Sequence, residues 1–187
     1  MDIIKNNIAN ILTVARLFLL PIIIALFFAE ASWGGFAAWL CLLIFAIAAI
    51  TDFFDGYIAR KYNQITAFGT FLDPISDKVF VSTLMILLVA FGKITGIWII
   101  CVILIFAREF LVSGLREFLG PKNIQMPVTK LAKWKTTVQM LSLGFLIIAG
   151  HAPYTLELGQ VLLLIATVLT LITGISYMIV GLKHLKE

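Results

Sequence analysis

Two pairs of aspartates stand out as residues that could do chemistry in this apolar chain. Asp52 and Asp55 are three residues apart, and Asp73 and Asp77 are four apart. In an α-helix these spacings put each pair on one face, about 60° and 40° apart around the axis. Four converging carboxylates repel one another unless hard cations with oxygen ligands lie between them. With no His or Cys nearby to suggest zinc, the pattern predicts a two-metal site that clamps a phosphorus centre.

The residues between the two pairs are suited to a phosphate ligand. Gly56, Ala59 and Gly69 are small, as needed where a ligand or a second helix comes close. Arg60 supplies a planar cation that matches phosphate oxygens. A single aspartate could simply anchor a helix end at a membrane surface. Eight residues at fixed spacing favour a functional site instead.

The composition indicates a membrane protein. Hydrophobic residues make up 61% of the 187 residues and charged residues 13%, against about 25% charged in soluble domains. Continuous apolarity selects helices rather than barrel strands, and about 20 residues cross the hydrocarbon layer. The predicted fold is all-α, a single polytopic membrane domain over residues 1–187. Its six predicted transmembrane helices cover about 9–29, 34–57, 74–92, 95–118, 131–150 and 157–181.

The charges around these blocks predict the orientation. Asn6, Asn7, Asn10 and Thr13 precede the apolar run that starts at Val14 and predict a short interfacial helix that leads into the first span. With six spans, every Lys and Arg except Lys93 falls on the side that holds both termini. The positive-inside rule makes that side cytoplasmic. We therefore expect a multi-pass protein of the cell membrane with its active site facing the cytoplasm, and we expect no nucleic-acid partner.

The full pattern, Asp52-x2-Asp55-Gly56-x2-Ala59-Arg60-x8-Gly69-x3-Asp73-x3-Asp77, resembles the signature of the CDP-alcohol phosphotransferase family. The resemblance implies a six-helix membrane fold, a homodimer and a polar cavity open to the cytoplasm. Members of the family attack the β-phosphorus of a CDP-linked alcohol with a second alcohol and release CMP.

Site roles follow from the same resemblance. It implies two Mg²⁺ or Mn²⁺ ions held by Asp52, Asp55, Asp73 and Asp77, with Asp77 also the general base. The contacts that it implies with the CDP-lipid, here CDP-diacylglycerol, involve Gly56, Arg60 and Thr66, with Ala59 and Gly69 as the small residues of the motif. Asn10 and Thr13 resemble a further CDP-lipid contact, although Ala9 stands where the family usually has proline.

Basic residues after the motif indicate which alcohol is the acceptor. Arg108, Arg116, Lys133 and Lys135 ring the same predicted cytoplasmic mouth, which suggests an anionic acceptor such as a phosphate ester. Attraction to anionic lipid headgroups is the alternative, and it is favoured for Lys122 and Lys130. The stretches REFLVSGLR and KWKTTVQ resemble those of bacterial phosphatidylglycerophosphate synthases, with Ala132 where Gly is usual. This resemblance implies sn-glycerol 3-phosphate as the acceptor.

Several alternatives stay open from the residues alone. Inositol phosphate or serine could be the acceptor within the same family. An intramembrane prenyltransferase also handles pyrophosphate with aspartates, and a divalent-cation carrier could use carboxylates near the bilayer. Glu109 is expected to pair with a neighbouring Arg or Lys rather than to do chemistry. His151 and His184 have no partner pattern and receive no role.

Overall fold

A computed structural model describes the backbone of residues 8–61, 67–120 and 130–185, and side chains within 14–51, 69, 71–72, 74–120 and 131–181. In these ranges the chain forms six helices. They are α1 (Ile8–Trp33), α2 (Gly35–Lys61), α3 (Ala67–Ala90), α4 (Trp98–Leu119), α5 (Lys130–Ile147) and α6 (Thr155–Leu185). The all-α prediction is confirmed, and each helix overlaps one predicted block.

Three of the helices are long and apolar enough to cross a membrane within the described residues. They are the Val14–Trp33 part of α1, the Trp98–Leu119 span of α4 and the Thr155–Gly181 part of α6. The described apolar part of α2, Gly35–Thr51, is shorter than a full crossing. The chain is therefore a helical membrane protein by composition and helix length, and the count of six crossings stays a prediction.

The start of one helix differs from the prediction. α3 begins at Ala67, well before the predicted start at Pro74, so this proline lies inside the helix. Proline removes one backbone hydrogen bond and favours the first turn, but membrane helices tolerate it where neighbouring groups compensate. Asn10 and Thr13 lie in the first two turns of α1, and the interfacial helix stays a prediction. Asn6 and Asn7 lie outside the described residues.

The first compact unit contains α1 to α3 and the short segment 150–152. α1 and α2 are joined by Gly34 alone, at φ +56°, a conformation that glycine adopts without strain. Glu30 lies beside this joint, and its Oε1 is 2.8 Å from His151 Nε2. α2 and α3 contact each other through Phe45 and Phe80, whose rings stack with centroids 6.1 Å apart.

The second compact unit contains α4, α5 and α6. α6 approaches its neighbours closely at glycines. A methyl group added at Gly159 would lie 2.7 Å from Leu146 Cγ of α5, and one at Gly174 would lie 2.6 Å from Arg108 Cγ of α4. Small residues at such positions are typical of membrane helices, whose association depends on close packing.

Candidate functional site

The aspartate motif lies on two helices of the first unit. α2 continues to Lys61 and so carries Asp52 and Asp55, while α3 carries Asp73 and Asp77. The helical backbone gives each pair the one-face spacing that the sequence predicts. The side chains of Asp52, Asp55 and Asp73 lie outside the described residues, so their metal-binding role stays a prediction.

Asp77 is the member of the motif whose side chain the structure describes. Its carboxylate is 51% exposed and accepts a hydrogen bond from NH1 of Arg16, a side chain only 4% exposed. The pair joins α1 to α3, residues 61 positions apart. A charged group buried at membrane depth normally serves a partner or a cavity. The structure thus gives Asp77 an accessible oxygen and a cation that orients it.

Arg16 has no role in the sequence-based assignment of the site. The signal that could have found it is its position, a lone cation inside the apolar N-terminal run. Charges in such runs are rare and usually functional. Its partner, by contrast, could not be read from the sequence, because nothing local shows which face of α1 meets α3.

The remaining residues of the predicted CDP-lipid site lie on the same unit. Gly69 is buried on α3. Asn10 and Thr13 lie on α1, and Gly56, Ala59 and Arg60 lie on α2, but none of their side chains is among those described. Thr66 lies outside the described residues altogether. Among the described side chains there is no group of three or more His, Cys, Asp and Glu that could hold a metal.

A second charged cluster occupies the interior of the unit formed by α4, α5 and α6. Glu109 Oε1 accepts hydrogen bonds from Arg108 NH1 at 3.1 Å and from Lys135 Nζ. The side chains of Arg108, Lys135 and Glu109 are 11%, 8% and 28% exposed. The prediction that Glu109 pairs with neighbouring basic residues is confirmed.

Of the four predicted acceptor ligands, the structure joins three through their contacts. Arg108 and Arg116 both place the guanidinium carbon over the ring of Tyr177, at 5.6 and 5.2 Å from its centroid. Lys135 joins Arg108 through Glu109. Lys133 is exposed on α5, and no contact among the described residues connects it to the other three.

We define the basic cluster as Arg108, Glu109, Arg116 and Lys135. Three cations and one carboxylate give it a net charge of +2. Arg116 is exposed, so the buried and half-buried groups leave an excess of one positive charge. Buried charges need compensation, because transfer of an uncompensated ion from water is costly. The basic cluster therefore has the electrostatics of an anion site, and a phosphate oxygen would find planar guanidinium donors there.

Comparison with known proteins covers both units. The sequence matches the CDP-alcohol phosphatidyltransferase family over residues 6–172. A protein of Rickettsia prowazekii (strain Madrid E) is 48% identical over 177 residues, which are 93% of this chain and 94% of the relative. Relatives in Cereibacter sphaeroides and Shigella flexneri serotype 5b are each 37% identical, with 97% and 92% of this chain covered and 98% and 93% of the respective relative. All three relatives are named CDP-diacylglycerol–glycerol-3-phosphate 3-phosphatidyltransferase. The chain therefore belongs to the CDP-alcohol phosphatidyltransferase family.

Proposed function

We propose that this protein transfers the phosphatidyl group of CDP-diacylglycerol to sn-glycerol 3-phosphate, giving phosphatidylglycerophosphate and CMP. The reaction is the one for which the three relatives are named. The observation that carries the choice of acceptor is the basic cluster, with its excess of two positive charges.

The charge of the acceptor fits the charge of the cluster. A phosphate monoester carries about −1.5 to −2 charges at pH 7 and offers three acceptor oxygens. Bound at the basic cluster, it would compensate the charge of Arg108 and Lys135 that Glu109, which bridges them, leaves unbalanced. Serine carries no net charge and would leave that excess uncompensated. The structure of the cluster thus favours glycerol 3-phosphate over serine, although inositol phosphate would fit equally well.

The proposed chemistry places Asp77 at the reacting hydroxyl. The acceptor oxygen forms a bond to the β-phosphorus, the phosphoanhydride bond breaks, and CMP leaves with the electron pair. The hydroxyl proton passes to the Asp77 carboxylate, because an alcohol ionises far above pH 7 and needs a base as attack proceeds. Arg16 holds this carboxylate in position from its buried side, and the exposed side of the carboxylate is open to the substrate.

A divalent metal is the cofactor generally used in this family. The donor set agrees, because carboxylate oxygens are the ligands that Mg²⁺ and Mn²⁺ prefer and Asp77 presents an accessible one. We assign two Mg²⁺ or Mn²⁺ ions to Asp52, Asp55, Asp73 and Asp77. When bound, such ions would neutralise the pyrophosphate and the departing CMP.

We also propose a membrane topology for the chain. The protein would have six crossing helices in one functional domain, with both termini and the site on the cytoplasmic side of the cell membrane. The family match across residues 6–172 spans both compact units and supports one functional domain. The homodimer implied by the resemblance is proposed with it, and cross-linking in native membranes tests it by the mass of the product.

Release of CMP by the purified protein tests the function. The assay contains CDP-diacylglycerol, Mg²⁺ and one acceptor at a time, and Asp77→Asn is the control. Turnover with glycerol 3-phosphate that the variant loses supports the reaction, the acceptor and the base together. Turnover with serine alone would refute the argument from charge. Absence of CMP with every acceptor, from protein shown to be folded, would favour the prenyltransferase or the carrier.

A further inference from the structure

One turn of α6 contacts the arginines of the basic cluster. We call Thr173, Gly174 and Tyr177 the arginine seat. Thr173 and Tyr177 are 3% and 5% exposed, and they lie four residues apart on the buried face of the helix. All three contact or closely approach the arginines of α4.

Tyr177 brings together two side chains that their own helix holds apart. Arg108 and Arg116 are eight residues apart, which is about 12 Å along α4. Both guanidinium carbons nevertheless lie within 6 Å of the centroid of one ring. This is the distance at which a cation is attracted by the ring face. The ring thus makes the two long side chains converge.

Thr173 and Gly174 hold Arg108 in a defined position. Arg108 NH2 donates to Thr173 Oγ1 at 3.2 Å, while the Thr173 hydroxyl itself donates to Leu169 O at 2.8 Å. The threonine oxygen is therefore oriented as an acceptor. The stem of Arg108 lies on the space that Gly174 leaves open, since an added methyl group would lie 2.6 Å from Arg108 Cγ.

Three buried polar atoms near the arginine seat have no hydrogen-bond partner among the described residues. They are Arg108 Nε, Gln139 Oε1 and Thr170 Oγ1. Gln139 follows Lys135 by one turn of α5, and Thr170 precedes Thr173 by one turn of α6, so each shares a helix face with the cluster. Buried polar groups normally have partners. A phosphate ester with several oxygens would supply an acceptor for Arg108 Nε.

We propose that the arginine seat positions Arg108 and Arg116 to receive the phosphate group of the acceptor, so that α6 sets the affinity for a phosphorylated acceptor without touching it. The proposal rests on the proposed function for the identity of the acceptor. Thr173, Gly174 and Tyr177 are positioning residues in this view. Their loss should weaken binding of the acceptor and leave CDP-diacylglycerol and the chemical step nearly unaffected.

Steady-state kinetics on purified protein in detergent test the seat. Tyr177→Leu removes the ring, and we expect the KM for glycerol 3-phosphate to rise about fivefold to thirtyfold, with kcat and the KM for CDP-diacylglycerol within about twofold. Tyr177→Phe restores the ring and should bring the KM most of the way back. An unchanged KM in Tyr177→Leu, or equal rises for both substrates, would overturn the proposal.

A matched pair of glycine variants covers the case in which Tyr177→Leu fails to fold. Gly174→Ala displaces Arg108, whereas Gly159→Ala creates an overlap of similar size with Leu146. Both variants lower the melting temperature, but only Gly174→Ala should raise the KM for glycerol 3-phosphate. Equal KM values in the two variants would overturn the proposal.

Binding measured without turnover separates the seat from the proposed function. Glycerol 3-phosphate, but not glycerol, should raise the melting temperature of the wild type. Tyr177→Leu should need about tenfold more glycerol 3-phosphate for the same rise. This result without any CMP release would support the seat and refute the reaction. CMP release with a KM independent of Tyr177 would do the reverse. Stabilisation by phosphatidylglycerol in mixed micelles and not by glycerol 3-phosphate would assign the cluster to a lipid headgroup and overturn the proposal.

Discussion

Replacing Glu109 by Gln tests the charge balance of the basic cluster. The carboxylate receives hydrogen bonds from Arg108 and Lys135, whose side chains are almost fully buried. The amide keeps the size of the side chain but removes the only negative charge of the cluster. Two buried cations then face each other without a counter-charge.

The expected loss follows from the burial of the three groups. Removing one partner of a buried ion pair costs about 3–5 kcal/mol. Glu109 is 28% exposed, so solvent screens part of the interaction, and we expect a loss of about 2–3 kcal/mol in the free energy of unfolding. Lys133→Met is the matched control, because this exposed lysine two residues from Lys135 should change stability by less than about 0.5 kcal/mol.

Unfolding in mixed micelles, followed by circular dichroism, measures these losses. The double variant Glu109→Gln/Lys135→Met removes one charge of each sign. It should therefore lose less stability than the sum of its two single variants, by about 1–2 kcal/mol. Additive losses, or a control as unstable as Glu109→Gln, would refute the account of the cluster as a balanced buried network.

Three further predictions concern the acceptor ligand Arg116, the metal and the backbone at Gly34. Arg116→Ala should raise the KM for glycerol 3-phosphate about tenfold and more than that for CDP-diacylglycerol, and equal rises would contradict its assignment to the acceptor. Excess EDTA should abolish CMP release and added Mg²⁺ should restore it, whereas activity that persists in EDTA would exclude the metal site. Gly34→Ala forces a side chain into the left-handed region at φ +56° and should cost about 1 kcal/mol in unfolding free energy, while Gly114→Ala, in an open position inside α4, should gain about 0.5–1 kcal/mol. A loss of stability in both glycine variants would contradict the explanation from backbone conformation.

The helices could be predicted from the sequence because each overlaps a continuous apolar block. The ends of the helices were harder to predict. The break between the first two blocks was expected to span several residues, but Gly34 alone makes it. The predicted third block starts at Pro74, yet α3 begins at Ala67, because one missing hydrogen bond does not end a helix that packing supports.

The pairing of Glu109 could also be predicted, since its neighbour Arg108 and the lysines of the next block lie on the same predicted side of the membrane. The partners Arg16, Thr173 and Tyr177 could not be predicted. Their contacts join residues about 60 positions apart and depend on which helix faces meet, which no local pattern specifies. Two-residue spacing does predict opposite directions for Lys133 and Lys135, and the structure buries only Lys135. The acceptor role of Lys133 stays a prediction.

The contact between His151 and Glu30 has a consequence for biosynthesis. The segment 150–152 follows α5 in the chain but belongs to the compact unit of the first three helices. Its His151 reaches Glu30 and lies over Gly35, where an added methyl group would be 3.2 Å from His151 Nδ1. The ribosome must therefore synthesise α4 and α5 before His151 can pack against the joint between α1 and α2. In a nascent chain arrested before residue 150 that joint would lack its contact with His151. The N-terminal helices are therefore synthesised first, but their packing is completed only after α5 has been made.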